Sequence, residues 1–520
     1  MTHRIVDANS ENGEPSQSGV IALLARPETH DGNPVVRIDT PISHVFIAGP
    51  KTYKLKRAVT RNFVDYSTLD LRRRHCLREI EINSIYAPQI YRGIVAINQT
   101  ADGLILGGDG DPVDYVVEMA TFDKDRTFDR LAESGNLEVD QVRELADIIA
   151  TMHQAAPQSA QFGGSGNLEM TIKQVADEIS ASPIADHLGP QTTAWKNAAQ
   201  ISLIEHAAQI DARRRHGYVR RCHGDLHLAN ICTFDGKPTP FDAIEFSDEI
   251  ASVDILYDLA FTLMDLSLRG LNVHANTLLS RYLNFTRDYS GLSLLPVFVS
   301  LRAAVRSMVA ANGVDKSEAM SDAGSKLKFA TRCLLDPEQP GQSRQPMLIA
   351  IGGLSGSGKS TLAKNIAPDI PGIAGAITIR SDICRKRLFG AAPEQPLPEN
   401  AYTPEVSQRV YTLLVRDAAR ALRAGTSVIL DATFIEGGKT TRLEKIAGSA
   451  GASFIGLWLS LDLASLQQRI LARGADASDA TPEVAAAQWQ SVRENPAWVK
   501  LDASRTPEQV AAEARAVIGI

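Results

Sequence analysis

Met347-Leu348-Ile349-Ala350-Ile351-Gly352-Gly353-Leu354-Ser355-Gly356-Ser357-Gly358-Lys359-Ser360-Thr361 is the stretch that decides how this chain folds. An apolar run followed by G-x-x-x-x-G-K-S predicts a buried strand that turns through a glycine-rich loop into a helix. The glycines let backbone N–H groups converge on phosphate oxygens, Lys359 meets the β/γ charge, and the Ser360 hydroxyl suits Mg²⁺. Gly353, Leu354, Ser355, Gly356, Ser357, Gly358, Lys359, Ser360 and Thr361 are therefore candidate nucleotide-binding residues. The plainer reading is a Gly-rich turn feeding a helix.

Downstream, Ala376–Ile379, Val428–Asp431 and Phe454–Leu459 are apolar, buried-type strands separated by helical segments, as in a parallel α/β sheet. Asp431 ends its strand as a carboxylate, the place of a Mg²⁺ holder beside a phosphate loop, or of an ordinary turn aspartate. Asp382, at the end of another strand, could accept an acceptor-hydroxyl proton while Arg385 grips an anionic group; the alternative is a helix-start aspartate with a solvated arginine. Arg469 and Arg473 fall at i, i+4 on one helix face before the flexible Gly474–Ala480 loop. That arrangement suits a lid whose Arg473 closes over the transfer, or a plain solvated basic face. Thr506-Pro507-Glu508-Gln509 opens the last helix with a capping box.

Upstream of the phosphate loop lies a Pro- and Gln-rich stretch, Asp336–Pro346, which divides the chain. We expect a polar, disordered N-terminus over 1–17, a first domain over 18–335, a linker over 336–346 and a second domain over 347–520. In the first domain, Val45–Ala48 and Tyr53–Val59 read as strands around Gly49-Pro50, Leu71–Tyr86 as a helix and Tyr115–Met119 as a short strand. Leu145, Ile148, Ile149 and Met152 repeat at helical spacing. A small sheet followed by helices predicts a two-lobed α+β domain.

The second chemical cluster is Cys222-His223-Gly224-Asp225-Leu226-His227-Leu228-Ala229-Asn230-Ile231. His223, Asp225 and Asn230 fit H-x-D-x-x-x-x-N, in which the aspartate orients and deprotonates a hydroxyl and the asparagine binds Mg²⁺. Asp242 follows Asp225 by seventeen positions, where a metal-binding aspartate is expected. No glycine follows Asp242, so this is not a protein-kinase activation segment. Zinc ligation by His223 and His227 would need a third ligand, and none is evident nearby. Lys54 and Lys56 share one strand face, and Lys54 is the candidate for phosphate contact, paired with Glu79 or, second, Glu81. Two lysines on an edge strand are otherwise simply solvated. Tyr115–Met119 would serve as an adenine-binding hinge, Asp254 and Asp258 as structural hydrogen-bonders, and Arg72–Arg74 and Arg213–Arg215 as solvated faces or an anion site.

The chain of 520 residues is 44% hydrophobic and 22% charged, with 54 Lys+Arg against 61 Asp+Glu and a net charge of −7. That composition excludes wholesale disorder and makes a nucleic-acid or anionic-membrane binder a poor fit. No uncharged apolar stretch reaches the ~18 residues of a membrane span. Five cysteines without a C-x-x-C pair suggest a reducing compartment, and we expect a cytoplasmic protein.

Residues 346–520 resemble the small P-loop kinases of the gluconate-kinase, zeta-toxin and polynucleotide-5′-kinase type. The His-Gly-Asp-Leu-His core and the aspartate at 242 resemble aminoglycoside- and choline-kinase-type phosphotransferases. From about residue 18 onward the chain is similar to a bacterial family that joins both. His44-Val45-Phe46, Tyr53-Lys54-Leu55-Lys56, Ile244-Glu245-Phe246 and Asp476-Ala477-Ser478-Asp479-Ala480 add to the likeness, while Pro41 stands where a histidine is expected and a G-x-G-x-x-G cover is absent. The resemblance implies a protein-kinase-like bilobal α+β domain followed by an α/β P-loop NTPase domain with a parallel sheet. It also implies ATP and Mg²⁺ as cofactors and phosphoryl transfer to the hydroxyl of a small-molecule acceptor. An ATP-binding regulatory module beside a single kinase, or a polynucleotide or nucleotide-sugar kinase in the C-terminal domain, are the alternatives.

Overall fold

The computed structural model describes residues 17–61, 64–313, 315–335, 345–435, 440–472, 478–492 and 497–520. Most of the expected N-terminal tail and of the 336–346 linker therefore lies outside the described residues, as does Arg473. By spatial contacts the chain groups into two compact units, one of residues 1–137, 156–163 and 217–258, the other of 138–155, 164–216 and 259–520.

The first unit is built on an antiparallel sheet of β1 (Val35–Asp39), β2 (Ser43–Ala48), β3 (Lys51–Lys56), β4 (Tyr91–Thr100), β5 (Gly103–Leu106) and β6 (Asp111–Ala120), in the order β1-β2-β3-β6-β4-β5. The β2–β3 turn passes through Gly49 at φ +57, a left-handed conformation that glycine adopts without strain. Period-two alternation on β3 sends Tyr53 and Leu55 into a core with Phe46, Ile97 and Val116, and turns Lys54 and Lys56 to the opposite face. That face is covered by helix α1 (Leu69–Tyr86), whose first turn is capped by the Thr68 hydroxyl accepting from the Leu71 N–H at 3.3 Å.

Two expectations are corrected here. Strand β3 is not an edge strand, because it pairs with both β2 and β6. Tyr115–Met119 is not a hinge, because these residues lie inside β6 between β3 and β4, so their peptide groups belong to the sheet. The strand runs to Ala120, and only beyond it does the chain leave the sheet. The hairpin of β7 (Ile231–Phe234) and β8 (Lys237–Pro240) follows the His-Gly-Asp segment and turns at Asp235-Gly236, both at positive φ.

The second unit begins with helices α2 (Val139–Ala155), α3 (Ser165–Ser180), α4 (Ala185–Arg215), α5 (Asn272–Thr286), α6 (Leu295–Ala311) and α7 (Lys316–Leu334). The segment Tyr289–Ala311 has the length and apolarity of a membrane span, yet two-thirds of its most apolar window is buried inside the fold. It is a core helix: Phe298, Leu301, Ala303 and Ala304 are sealed from solvent, and Ser300 accepts from the buried Trp195 indole at 3.1 Å. The basic runs are only partly solvated. Arg213 is buried and pairs through two nitrogens with Asp288 at 2.7 and 2.6 Å, and in the first unit Arg72 is buried against Asp114 at 2.8 Å.

In the same unit, β9 (Met347–Gly353), β10 (Ile377–Arg380), β11 (Val428–Asp431), β12 (Ser453–Ser460) and β13 (Val499–Asp502) form an all-parallel sheet ordered β10-β11-β9-β12-β13. The first four strands match the expected apolar runs, and β13 was not anticipated. Between them run α8 (Lys359–Ile366), α9 (Ser381–Leu388), α10 (Pro404–Arg423), α11 (Thr440–Ser449), α12 (Leu463–Ala472), α13 (Pro482–Ser491) and finally α14 (Pro507–Ile518). Helix α10 buries Val410, Leu414, Ala418, Ala421 and Leu422, an i, i+4, i+8 stripe, beneath a cap made by the Thr403 hydroxyl. The expected capping box of α14 is present, with Thr506 and Gln509 satisfying each other's backbone N–H groups. Strand β9 is flanked on both sides, so the loop at its carboxyl end opens at the point where strand order reverses.

Two candidate nucleotide sites

The first site lies entirely within the first unit. Backbone bonds draw its three segments together: Phe241 N–H donates to the Asn230 carbonyl at 2.9 Å, and Ile244 N–H to the His223 carbonyl at 3.0 Å. The buried His223 ring adds a bond from Nε2 to the Phe241 carbonyl at 2.9 Å, and burial pushes its pKa down. These ties bring the segments carrying Asp225, Asn230 and Asp242 together, as the spacing predicted. Asn230 Nδ2 donates both to the Asp225 carbonyl at 2.9 Å and to Asp225 Oδ2 at 3.0 Å. That fixes the amide orientation and leaves Oδ1 as an acceptor. His227 stands 3.4 Å from the same Asp225 carboxylate oxygen, so both groups orient the carboxylate rather than leave it to rotate. Asp258, buried, accepts from the Gly224 N–H at 2.8 Å and so fixes the turn that carries Asp225, the structural role expected of it.

Asp242 sits at φ +60, and its N–H donates to the Tyr91 hydroxyl at 3.1 Å. A non-glycine residue held in the left-handed region is strained and is found preferentially at functional sites. Lys54 Nζ lies 2.9 Å from Glu79 Oε1 and 2.6 Å from Asp242 Oδ1, which confirms the lysine–helix carboxylate pairing and selects Glu79 over Glu81. Glu81 instead pairs with Arg78 at the surface. Burial alone would lower the Lys54 pKa, but the Asp242 and Glu79 carboxylates outweigh it and hold the amine charged. The candidate ligand atoms of Asn230 and Asp242 are all oxygens, a set suited to a hard divalent cation such as Mg²⁺.

Lys56 was open to the solvated reading, and the structure buries it. Its Nζ meets Glu79 Oε2 at 2.6 Å and Glu245 Oε1 at 2.5 Å, over the Tyr66 ring. Glu245 and Tyr66 were missed as site residues. The available signal was a second carboxylate three residues after Asp242, in a stretch already singled out.

The second site lies wholly within the second unit. Gly353 at φ +140 leads β9 into the loop, and a Cβ there would stand 2.7 Å from Ser357 Oγ and 2.8 Å from the Leu459 carbonyl. Gly356 (φ +87) and Gly358 (φ +96) complete the turn in left-handed conformations that glycine adopts without strain. Helix α8 then starts at Lys359, directly after the loop, and the first N–H groups of a helix have no partner within it and suit an anion. The Ser357 hydroxyl is buried with no hydrogen-bond partner among the described residues, as expected of a group whose partner is a ligand oxygen. Leu354 packs in the core, and its carbonyl holds Lys359 Nζ at 2.9 Å. Thr361 is exposed on the first turn of α8. Ser355 N–H is taken by the Gln488 side chain of α13 at 2.9 Å, a contact the sequence reading did not foresee.

Ser360 Oγ donates to Asp431 Oδ2 at 2.6 Å, joining the two residues expected to hold Mg²⁺; Arg380 lies 3.2 Å from the same oxygen. Asp382 stands at the start of α9 with its pKa raised by burial and then by Asp431, the direction expected of a proton acceptor. Arg385 does not stand free for an anionic substrate. Its guanidinium donates to the Ala401 carbonyl at 2.6 Å and the Ser407 hydroxyl at 3.3 Å, and stacks over Tyr402. Arg469 donates to the Ala503 carbonyl at 2.8 Å. Beyond the undescribed 473–477 segment, Asp479 is gripped by Lys386 at 2.7 Å and by the Tyr402 hydroxyl.

A sheet-and-helix region followed by a P-loop domain, each with its own set of phosphate- and metal-suited groups, is similar to the kinase-like phosphotransferases. More particularly, residues 68–295 match the family model described as the phosphotransferase enzyme family, and residues 348–496 match the model described as an AAA domain. An uncharacterized protein of Mycobacterium tuberculosis strain H37Rv is 29% identical over 482 residues, covering 88% of this chain and 91% of that protein. Among solved structures, a choline/ethanolamine kinase family protein from Mesorhizobium loti aligns with 61% of this chain and 94% of its own, at 13% identity and a TM-score of 0.39. A gluconokinase from Sinorhizobium meliloti 1021 aligns with 34% of this chain and 94% of its own, at 19% identity and a TM-score of 0.25.

Proposed function

We propose that the chain is an ATP- and Mg²⁺-dependent phosphotransferase with two nucleotide sites, each passing the γ-phosphate to the hydroxyl of a small-molecule acceptor in the cytoplasm. The observation that carries this reading is that two complete donor sets, Lys54/Asp225/Asn230/Asp242 and Gly353–Thr361 with Asp431, each assemble within a single compact unit.

In the first site Asp225 takes the acceptor's hydroxyl proton, and the acceptor oxygen bonds to the γ-phosphorus as the bond to the ADP oxygen breaks. Asn230 and His227 aim the Asp225 carboxylate, and Lys54 steadies the phosphates. In the second site the loop amides and Lys359 hold the triphosphate, Asp382 takes the proton, and Arg473 adds positive charge over the transfer. Asn230 and Asp242 would hold Mg²⁺ in one site, Ser360 and Asp431 in the other. When bound, the ion neutralises charge on the phosphate oxygens.

The test is acceptor-stimulated ADP release across a panel of hydroxyl-bearing metabolites. Asp225→Ala should remove one acceptor-dependent activity, by about 10²–10⁴-fold as for loss of a general base, and Lys359→Ala the other. If Asp225→Ala left every acceptor-stimulated rate intact, the catalytic assignment of the first site would fail.

A further inference from the structure

One buried ion pair in the second unit has no part in the chemistry proposed above. Lys386 follows Asp382 by four positions on α9, so the two share a face of that helix. Its side chain is 2% exposed, and its ammonium donates to both carboxylate oxygens of Asp479 at 2.7 Å and to the Gln395 carbonyl. All three N–H donors are thereby spent, which leaves none for a ligand. Asp479 is held as fully. The Tyr402 hydroxyl donates to its Oδ2, and the Leu397 N–H reaches the same oxygen at 3.2 Å. Burial alone would raise its carboxyl, but the Lys386 and Tyr402 bonds outweigh that and keep it below the usual carboxylate range.

What this pair fastens is α13. Asp479 stands two residues before Thr481, whose hydroxyl caps that helix by accepting from the Val484 N–H at 3.4 Å. Roughly 9 Å along the axis from the first residue of α13, Gln488 Oε1 accepts the Ser355 N–H of the phosphate loop at 2.9 Å. The start of α13 is thus tied to the helix that carries Asp382, and one of its side chains is tied to the loop that carries Lys359. A loop whose shape is already set from outside needs less ordering by its ligand, and binds it more tightly for that reason.

We propose that Asp479 is a positioning residue for the second site: through α13 it sets where Gln488 holds Ser355, so that nucleotide affinity depends on a carboxylate outside the phosphate loop. Lys386 and Tyr402 are its anchor, and Gln488 is the contact through which it acts. The proposal rests on reading the second site as a nucleotide site.

The experiment is calorimetric titration of ADP with Mg²⁺ into the full chain carrying Asp242→Ala, which silences the first site. In that background Asp479→Ala and Gln488→Ala should each raise the Kd about tenfold. The two together should also raise it about tenfold rather than a hundredfold, because the second change removes a link that the first has already broken. A general loss of stability would not behave so: independent effects multiply, and multiplied effects overturn the proposal, as does an unchanged Kd in Asp479→Ala.

Asp479→Ala alone leaves Lys386 buried without a counter-charge, which can cost the fold itself. Lys386→Met with Asp479→Ala removes both charges at once, and thermal melting reports on the fold. This pair should raise the Kd by the same factor of about ten in a chain that still melts cooperatively, and a Kd equal to the parent's overturns the proposal. An Asp242→Ala chain that binds no ADP at all would instead overturn the nucleotide reading of the second site, and this inference with it.

Discussion

At the scale of single residues, the charges in the first site do two jobs, and pH separates them. Glu79 carries a carboxyl held well below its usual value: burial alone would raise it, and Lys54 and Lys56 together reverse that. A depressed carboxyl adds stability that is fully present above the unfolded value of about 4.5 and is lost as pH falls through the folded value. Glu79→Gln should therefore cost about 3 kcal/mol near pH 7, where two buried lysines lose a charged partner. The gap between wild type and variant should narrow steadily below pH 4.5. Urea titrations from pH 7 to pH 3 check this, and a gap that does not change with pH would mean that the buried pairs contribute no net stability. The same contacts explain what could be read in advance. Lys54 and Glu79 were legible because a strand lysine and a helix carboxylate suffice to predict a pair. The burial of Lys56 was not, because it depends on β3 being an inner strand and on Glu245 arriving from 189 positions away.

At the scale of elements, the parallel sheet was legible because its inner strands are covered on both faces and so read as unbroken apolar runs. Strand β13, Val-Lys-Leu-Asp, escaped notice for the opposite reason: among the described residues it pairs only with β12, and three of its four residues are exposed, so it carries no such run. Its place is nonetheless well defined by packing. Trp498, just before β13, lies across Gly456 of β12 and Gly352 of β9, and an added Cβ at Gly456 would fall 2.5 Å from its ring. Neither residue at 352 or 456 can enlarge without moving an indole wedged between strands. Gly456→Ala should destabilise the second unit by about 1–3 kcal/mol through overpacking, and Gly456→Ala with Trp498→Phe should recover part of the loss. Thermal melts of the two variants decide it, since equal loss in both would mean that the indole is not the obstacle. The hinge expected at Tyr115–Met119 failed at this same scale. A short apolar run gives no sign of pairing on both sides, and two neighbours claim its backbone.

For the whole molecule, the consequential fact is that each donor set is complete inside one compact unit. The first site takes Lys54, Glu79, Asp225, Asn230 and Asp242 from residues 1–137 and 217–258, and the second takes its loop, Asp382 and Asp431 from 259–520. A sequence search for either motif alone would describe half of the chemistry, and the boundary that separates the motifs in sequence is not the one that separates the contacts. Helix α5, which precedes that boundary, donates from Asn276 Nδ2 to the carbonyls of Ala374 and Ala376, at 2.7 and 2.8 Å, beside β10. No linear feature of an asparagine in a helix announces such a tie, which is why the grouping was not legible while the motifs were. Because neither site borrows a ligand-binding group from the other unit, the nucleotide stoichiometry should be two per chain in the presence of Mg²⁺. Lys359→Ala should reduce it to one, Asp242→Ala should also reduce it to one, and the double variant should bind none. Equilibrium dialysis with radiolabelled ADP measures this directly. A wild-type chain that saturates at one nucleotide, with that binding abolished by Lys359→Ala and untouched by Asp242→Ala, would confine nucleotide chemistry to the P-loop and leave Asp225 with no phosphoryl transfer to assist.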